Sequence, residues 1–231
     1  MASAVVLGGG PASREVPLLG PQRNTQPLNA LVFSGGSAYG LAASDGVANC
    51  LEEHGYGYDT GFGLVPIVCQ SCIFDLSYGK GNVRPDREMG YKACQNAIAG
   101  NAPLSGNVGA GTGATVGKPG GMVSAQKSGI GYAAARLGKL EVGVAVVVNA
   151  RLTVADLQKV ANIASTGMAR CIRPVFTMAD GDTVYAISLN GGDVQSDVNT
   201  IGVLASLVME KAIADAILSS KIPDEEYLAN I

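Results

Sequence analysis

The run Gly143-Val144-Ala145-Val146-Val147-Val148 is apolar at every position, so a strand formed from it is apolar on both faces. A strand with one wet face alternates apolar and polar residues; a continuous apolar run predicts a sheet covered by a layer on each side. Shorter strand-like runs occupy 28–34, 65–69 and 183–189, and the run at 143–148 extends to 142–149. Helical spacing fills the gaps. Residues 40–54 carry apolar positions at helical intervals and stop before Gly55; residues 86–98 follow Pro85. Thr153 opens a helix over 154–168 with Thr153 and Asp156 in capping-box spacing, and residues 199–218 place Ile201, Leu204, Val208, Ala212 and Ile217 along one side. The alternation predicts a layered α/β architecture in one domain over residues 1–231, with no internal repeat.

Composition excludes several functions. With 231 residues, 47% hydrophobic and 15% charged, the chain has enough apolar material for one sizeable core. A net charge of −3 without a Lys/Arg run argues against a nucleic-acid partner, which would require a clustered basic face. No apolar stretch approaches the ~20 residues that span a bilayer, and the N-terminus lacks the pattern of a signal peptide. The expectation is a cytoplasmic protein with no membrane partner.

Five scattered cysteines, Cys50, Cys69, Cys72, Cys94 and Cys171, fit reduced core thiols better than a disulfide framework. Cys69-Gln70-Ser71-Cys72 has the spacing of a zinc or redox pair, but no second such pair exists. The single histidine, His54, sits at a helix end before Gly55. No four-ligand metal site can be assembled from these residues, and neither metal nor cofactor is expected. One histidine at a helix terminus also removes the histidine-activated Ser and Cys nucleophiles. A hydrolase built from this chain needs an amine or a carboxylate as its base.

The glycines of Gly106-Asn107-Val108-Gly109-Ala110-Gly111-Thr112-Gly113-Ala114-Thr115-Val116-Gly117 predict close approach of something to the main chain. Nucleotide phosphate is excluded by spacing: no G-x-G-x-x-G opens a helix there, and Gly117-Lys118 is followed by Pro119. The flanking Val108, Ala110, Ala114 and Val116 are too apolar for a solvated linker. Gly109, Gly111, Thr112 and Gly113 are therefore candidate residues of a substrate-binding or structural loop.

The segments Ser34-Gly35-Gly36-Ser37-Ala38-Tyr39-Gly40-Leu41, Val65-Pro66-Ile67-Val68 with Phe74-Asp75-Leu76, Arg84-Pro85-Asp86, the stretch 106–117, and Ala169-Arg170 through Pro174 to Asp180-Gly181-Asp182-Thr183 follow one another in this order. Together they resemble the L-aminopeptidase/D-esterase family, which includes nylon-oligomer hydrolases. The resemblance implies a four-layer α-β-β-α sandwich of the N-terminal-nucleophile type, self-cleaved into two chains and assembled as a homo-oligomer. It also implies metal-independent hydrolysis of amide or ester bonds in small amide or peptide substrates. The family's chain cuts before a Ser or Thr whose new α-amine, with an ordinary pKa near ~7.7–8, serves as base. By resemblance Lys127, Asp180 and Asp182 support that amine and Asn149 donates to the oxyanion. Each has a plain reading too: Asp180-Gly181-Asp182 is a turn before a strand, Lys127 a solvated amine, and Asn149 a strand end.

The chain departs from the family where the nucleophile belongs. Residues 148–153 run straight into the helix 154–168, as though two similar strands had been fused and the piece between them removed, which makes the sandwich a shortened one. Asn149 matches either strand, and Phe74 stands where some relatives carry a tyrosine. Asn199-Thr200-Ile201 looks locally like a self-cleavage sequence, making Thr200 a candidate nucleophile, although Asn199 or Thr200 equally caps a helix; Thr153 reads better as a cap. Two functions follow: an amide or peptide hydrolase, or a catalytically inactive member acting as an oligomeric binding scaffold.

Overall fold

Strand pairing at residues 30–34 and 68–72 organises the first half of the molecule. The structure is a computed structural model that describes residues 2–6, 9–20, 28–116, 122–138, 140–147, 155–176, 181–187 and 198–231. In chain order these form β1 (Ala2–Val6), β2 (Ala12–Arg14), β3 (Ala30–Ser34), α1 (Ala43–Glu53), β4 (Tyr58–Asp59), β5 (Leu64–Val65), β6 (Val68–Cys72) and α2 (Arg87–Ile98). Then come β7 (Thr115–Val116), β8 (Gln126–Lys127), β9 (Ile130–Leu137), β10 (Leu140–Val147), α3 (Ala155–Cys171), β11 (Thr183–Ile187), α4 (Val198–Leu218) and α5 (Asp224–Leu228).

Strand β3 runs parallel to β6, from Ala30 opposite Val68 to Ser34 opposite Cys72, and β2 is antiparallel on the other edge of β6. Side chains alternate across this sheet. Ala30, Val32 and Val68 face outward to Val47, Cys50 and Leu51 of α1 and Tyr91 and Cys94 of α2. Leu31, Phe33 and Cys69 face the opposite way, into the middle of the molecule. Burial pushes the Cys69 thiol up to about 12, with the Glu15 carboxylate adding to the effect, which fits an inert core thiol. Helix α2 starts where Asp86, after Pro85, accepts the Met89 N–H at 2.9 Å. His54 closes α1, its Nδ1 lying 2.7 Å from the Cys50 carbonyl oxygen, as a helix-terminal histidine should.

The second half repeats the arrangement with the opposite outer face. Strands β9 and β10 form an antiparallel hairpin turned at Gly138, and β1 pairs antiparallel with β11. Helices α3 and α4 lie side by side in the same direction, with Ile163 against Gly202, Gly167 against Ser206 and Arg170 against Glu210. Their inner faces meet Val146, Val184 and Ala186 in a core that includes Met168, Met209, Ala212 and Ile213.

The three-stranded sheet β2-β6-β3 then faces a layer that, among the described residues, consists of two separate two-stranded pairs, β9-β10 and β1-β11. The Phe33 and Tyr185 rings lie 6.2 Å apart at 54°, Ser71 Oγ and the Tyr185 hydroxyl are 2.6 Å apart, and Ile73, Ala114, Ile130 and Val147 form a shared cluster. The order is α1/α2, sheet, sheet, α3/α4: the four-layer α-β-β-α sandwich.

Several boundaries differ from the sequence reading. The run 65–69 divides at Pro66: Leu64–Val65 pairs with β4, and the central strand begins at Val68. Residues 37–42 form a 3-10 turn before α1. Strand β9 was not expected, because Gly131 and Ala133-Ala134-Ala135 carry little strand propensity, and it exists through its pairing with β10. Helix α4 starts at Val198, which puts Asn199 and Thr200 inside its first turn rather than before it. Thr153 and residues 148–149 and 188–189 lie outside the described residues. Among the described residues no helix is long and apolar enough to cross a membrane.

Candidate active site

Lys127 is 7% exposed, which overturns the reading of it as a solvated amine. Strand β8 pairs Lys127 with Thr115 of β7 and brings the amine under the glycine-rich stretch. Its Nζ donates to the carbonyl oxygens of Gly111 at 2.9 Å and Ala114 at 3.0 Å, and to that of Ser128. An ammonium has three donors, and here three carbonyls receive them. Burial pulls the Lys127 pKa down to about 8, and the Asp75 carboxylate opposes part of that fall. The Tyr78 ring centroid stands 5.4 Å from Nζ.

Gly106, Gly111 and Gly113 of this stretch are needed because the chain packs on itself. Gly106 and Ile130 exchange two backbone hydrogen bonds, N–H to O at 2.8 and 3.0 Å. A Cβ on Gly111 would lie 2.3 Å from the Gly106 oxygen and 2.4 Å from the Ile130 nitrogen. Gly129 abuts Ser220 just beyond α4, where a Cβ would fall 1.9 Å from the Ser220 Oγ. Thr112 is exposed and closes the turn, its hydroxyl donating to the Gly109 carbonyl at 2.8 Å. Gly113 faces Asp75, whose Oδ2 would sit 2.5 Å from a Cβ there.

Asp75 follows β6 and lies where the parallel strands β3 and β6 end, the carboxyl-end edge at which α/β sheets place their ligands. Its Oδ1 accepts the Gly36 N–H at 2.7 Å. Below it, fully buried Gln70 donates to Ser34 Oγ at 2.8 Å and the Gly40 carbonyl at 2.7 Å, and accepts from Ser44 Oγ. These buried amide contacts hold the turn that begins at Gly35. Sequence reasoning did not single out Asp75 or Gln70 as site residues. The available signal was the small-residue pattern of Gly35, Gly36 and Gly113, which is legible only once Asp75 is known to fill the space between them.

Asp182 is 3% exposed and opens β11; its Oδ2 accepts the Phe176 N–H at 2.8 Å. Thr183 Oγ1 donates to the Gly181 carbonyl at 2.9 Å, and the turn expected at 180–182 falls partly outside the described residues. The described contacts do not join Asp182 to Lys127. Asp180 and Asn149 lie outside the described residues.

The structure sets Thr200 apart from Lys127. Val198 and Ile201, which flank it, pack with Val160, Ala164 and Ala205 at the start of α4. The Lys127 loop meets Ser219 and Ser220 just beyond the opposite end. At 1.5 Å per residue these ends are about 30 Å apart. The local likeness of Asn199-Thr200-Ile201 to a cleavage sequence is thus a helix start, and Thr200 does not share the lysine's site.

A four-layer sandwich with a buried amine at its sheet ends has the fold of the N-terminal-nucleophile-type peptidases. The chain superposes on the PH0078 protein of Pyrococcus horikoshii OT3 with a TM-score of 0.67, covering 100% of this chain and 79% of that one at 19% identity. It superposes on a beta-aminopeptidase of Burkholderia sp. with a TM-score of 0.62, covering 99% and 80% at 18% identity. The chain belongs to peptidase family S58, whose profile matches residues 1–154 and 144–223. It is 34% identical over 270 residues to the protein named uncharacterized aminopeptidase Rv1333 of Mycobacterium tuberculosis, covering 91% of this chain and 75% of that one. It is 26% identical over 255 residues to the 6-aminohexanoate-oligomer endohydrolase of Agromyces sp., covering 81% and 71%. Both aligned stretches are longer than the 231-residue chain itself, so each relative carries an internal segment that this chain lacks. Residues 144–154 match the profile twice, which locates the interruption at the end of β10.

Proposed function

We propose that this chain hydrolyses amide bonds in short peptides or peptide-like oligomers. The single observation that carries the reading is the buried Lys127 amine, held by three carbonyls at the sheet ends of a chain belonging to a peptidase family. With its pKa near 8, Lys127 exchanges a proton close to neutrality, as a group serving acid–base chemistry needs. Asp182 and Asp180 orient the attacking group's amine, and Asn149 donates to the oxyanion of the tetrahedral intermediate. The glycine turn 109–113 fixes the wall of the site. The same reading carries self-processing, a homo-oligomer and a cytoplasmic setting.

Two measurements on the purified protein test it together. Hydrolysis is followed on short peptides, on 6-aminohexanoate oligomers and on matched esters, and the intact mass is taken under denaturing conditions. Amide hydrolysis that is lost in Lys127→Met supports the reading, and two complementary fragments locate the attacking residue at the new N-terminus. A single 23.4 kDa chain that hydrolyses none of the three substrate classes overturns it in favour of a binding scaffold.

A further inference from the structure

We propose that Asp75 is the positioning residue of this site: its carboxylate clasps the Gly35–Gly36 turn to the Gly113 turn and provides the counter-charge for Lys127. The assignment deepens the hydrolase reading and rests on it, but its geometry stands independently. Oδ1 accepts the Gly36 N–H at 2.7 Å, from a residue at φ +82°. Oδ2 lies where side chains on two other residues would begin, 2.1 Å from a Cβ on Gly35 and 2.5 Å from one on Gly113. Two glycines from separate segments, Gly35 and Gly113, therefore let one carboxylate come closer than any side chain allows, while Gly36 donates its N–H to it.

A hydrogen bond to Gly36 alone needs no charge, because an asparagine oxygen accepts it equally well. Charge has its use at Lys127. Burial disfavours the ammonium, and among the described residues Asp75 is the carboxylate that restores part of its proton affinity. Among the described residues the Tyr78 phenol also faces Nζ, and its own pKa is raised by burial and by Glu226 and Tyr227 of α5. Asp75 thus controls two things at once: the spacing of the two glycine turns, and the pH at which Lys127 gives up its proton.

The decisive experiment is an NMR titration of the Lys127 side chain in protein with isotope-labelled lysine, in wild type and Asp75→Asn. The asparagine keeps the shape and the Gly36 hydrogen bond while removing the charge. The expected result is a Lys127 midpoint lowered by ~1 pH unit from its wild-type value. Wild type supplies a second readout that requires no variant: the Asp75 carboxylate carbon should show an inflection at the Lys127 midpoint. An unmoved midpoint in Asp75→Asn, or a wild-type Asp75 carbon without that inflection, overturns the proposal. Neither readout needs turnover, so an inactive protein with a shifted midpoint would sink the hydrolase reading and leave Asp75 in its role. In active protein, Asp75→Asn should also shift the limb of the pH–rate profile set by Lys127 in the same direction.

Discussion

Replacing Gly111 by alanine tests whether the glycine-rich stretch is built for close packing. The new Cβ would stand 2.3 Å from the Gly106 oxygen and 2.4 Å from the Ile130 nitrogen, both backbone atoms that cannot swing aside. To make room, the Gly106–Ile130 bridge must open, and its two hydrogen bonds at 2.8 and 3.0 Å are lost or stretched. Each is worth ~1 kcal/mol net, and forcing extra volume into a packed site costs ~1–3 kcal/mol more. The expected loss is therefore ~3–5 kcal/mol, a large part of the ~5–15 kcal/mol that holds a domain together. Gly109→Ala is the control. It sits two residues earlier at φ +52° with open space around its Cβ position, so only the left-handed backbone penalty of ~1–2 kcal/mol applies. Urea denaturation followed by far-UV circular dichroism measures both variants. A loss below ~1 kcal/mol for Gly111→Ala, or equal losses in the two variants, refutes the packing argument; Gly111→Val should be worse than Gly111→Ala.

Lys127 makes stability depend on pH in a defined window. Its folded pKa of about 8 lies below the ordinary 10.5, so between these values the unfolded chain holds a proton that the folded chain has released, and stability rises with pH there. Denaturation series on wild type and Lys127→Met should differ by that slope; parallel curves would show that the amine titrates normally. Asp182→Asn and Asp180→Asn should each abolish self-cleavage or turnover while leaving the native mass in size-exclusion chromatography unchanged. Undiminished hydrolysis in both removes the acidic pair from the chemistry.

What could be read from the sequence was whatever a short window encodes. The two-faced apolar run at 143–148 predicted a strand covered on both sides; Val146 faces α3/α4 and Val147 faces Ile130 and Ala114, but Gly143 and Ala145 are exposed, so the second cover reaches only the end of β10. The cap at Asp86 and the helix stop at His54 are local devices and were equally legible. Strand β9 was not, because its Gly131 and alanines are chosen by a neighbour: a Cβ at Gly131 would strike the Ala212 oxygen of α4 at 2.3 Å. The site was harder still. Lys127 belongs to a two-residue strand, and nothing within ten residues signals that its amine ends among carbonyls of residues 111 and 114. Asp75 lies 38 residues beyond the start of the Ser37 turn and as many before Gly113, and only the fold brings the three segments to one point.

The interrupted family match separates the scaffold from the attacking group. Residues 144–154 answer to two places in the profile, and relatives align over more residues than this chain possesses. Among the described residues the strands beside the interruption keep one partner each, β10 with β9 and β1 with β11. Strand β10 pairs with β9 along its whole length, from Leu140 opposite Leu137 to Val147 opposite Ile130, and α3 begins at Ala155 and packs against α4 and β11. The core depends on Val146 and Val147 at the end of β10, and those side chains are in place without the extra segment. Lys127, Asp75 and Asp182 belong to other elements, so their geometry is likewise independent of it. The placement of Lys127 and Asp75 is thus reached without the segment that the relatives carry, and the attacking group is the part of the site that the intact-mass measurement has to locate.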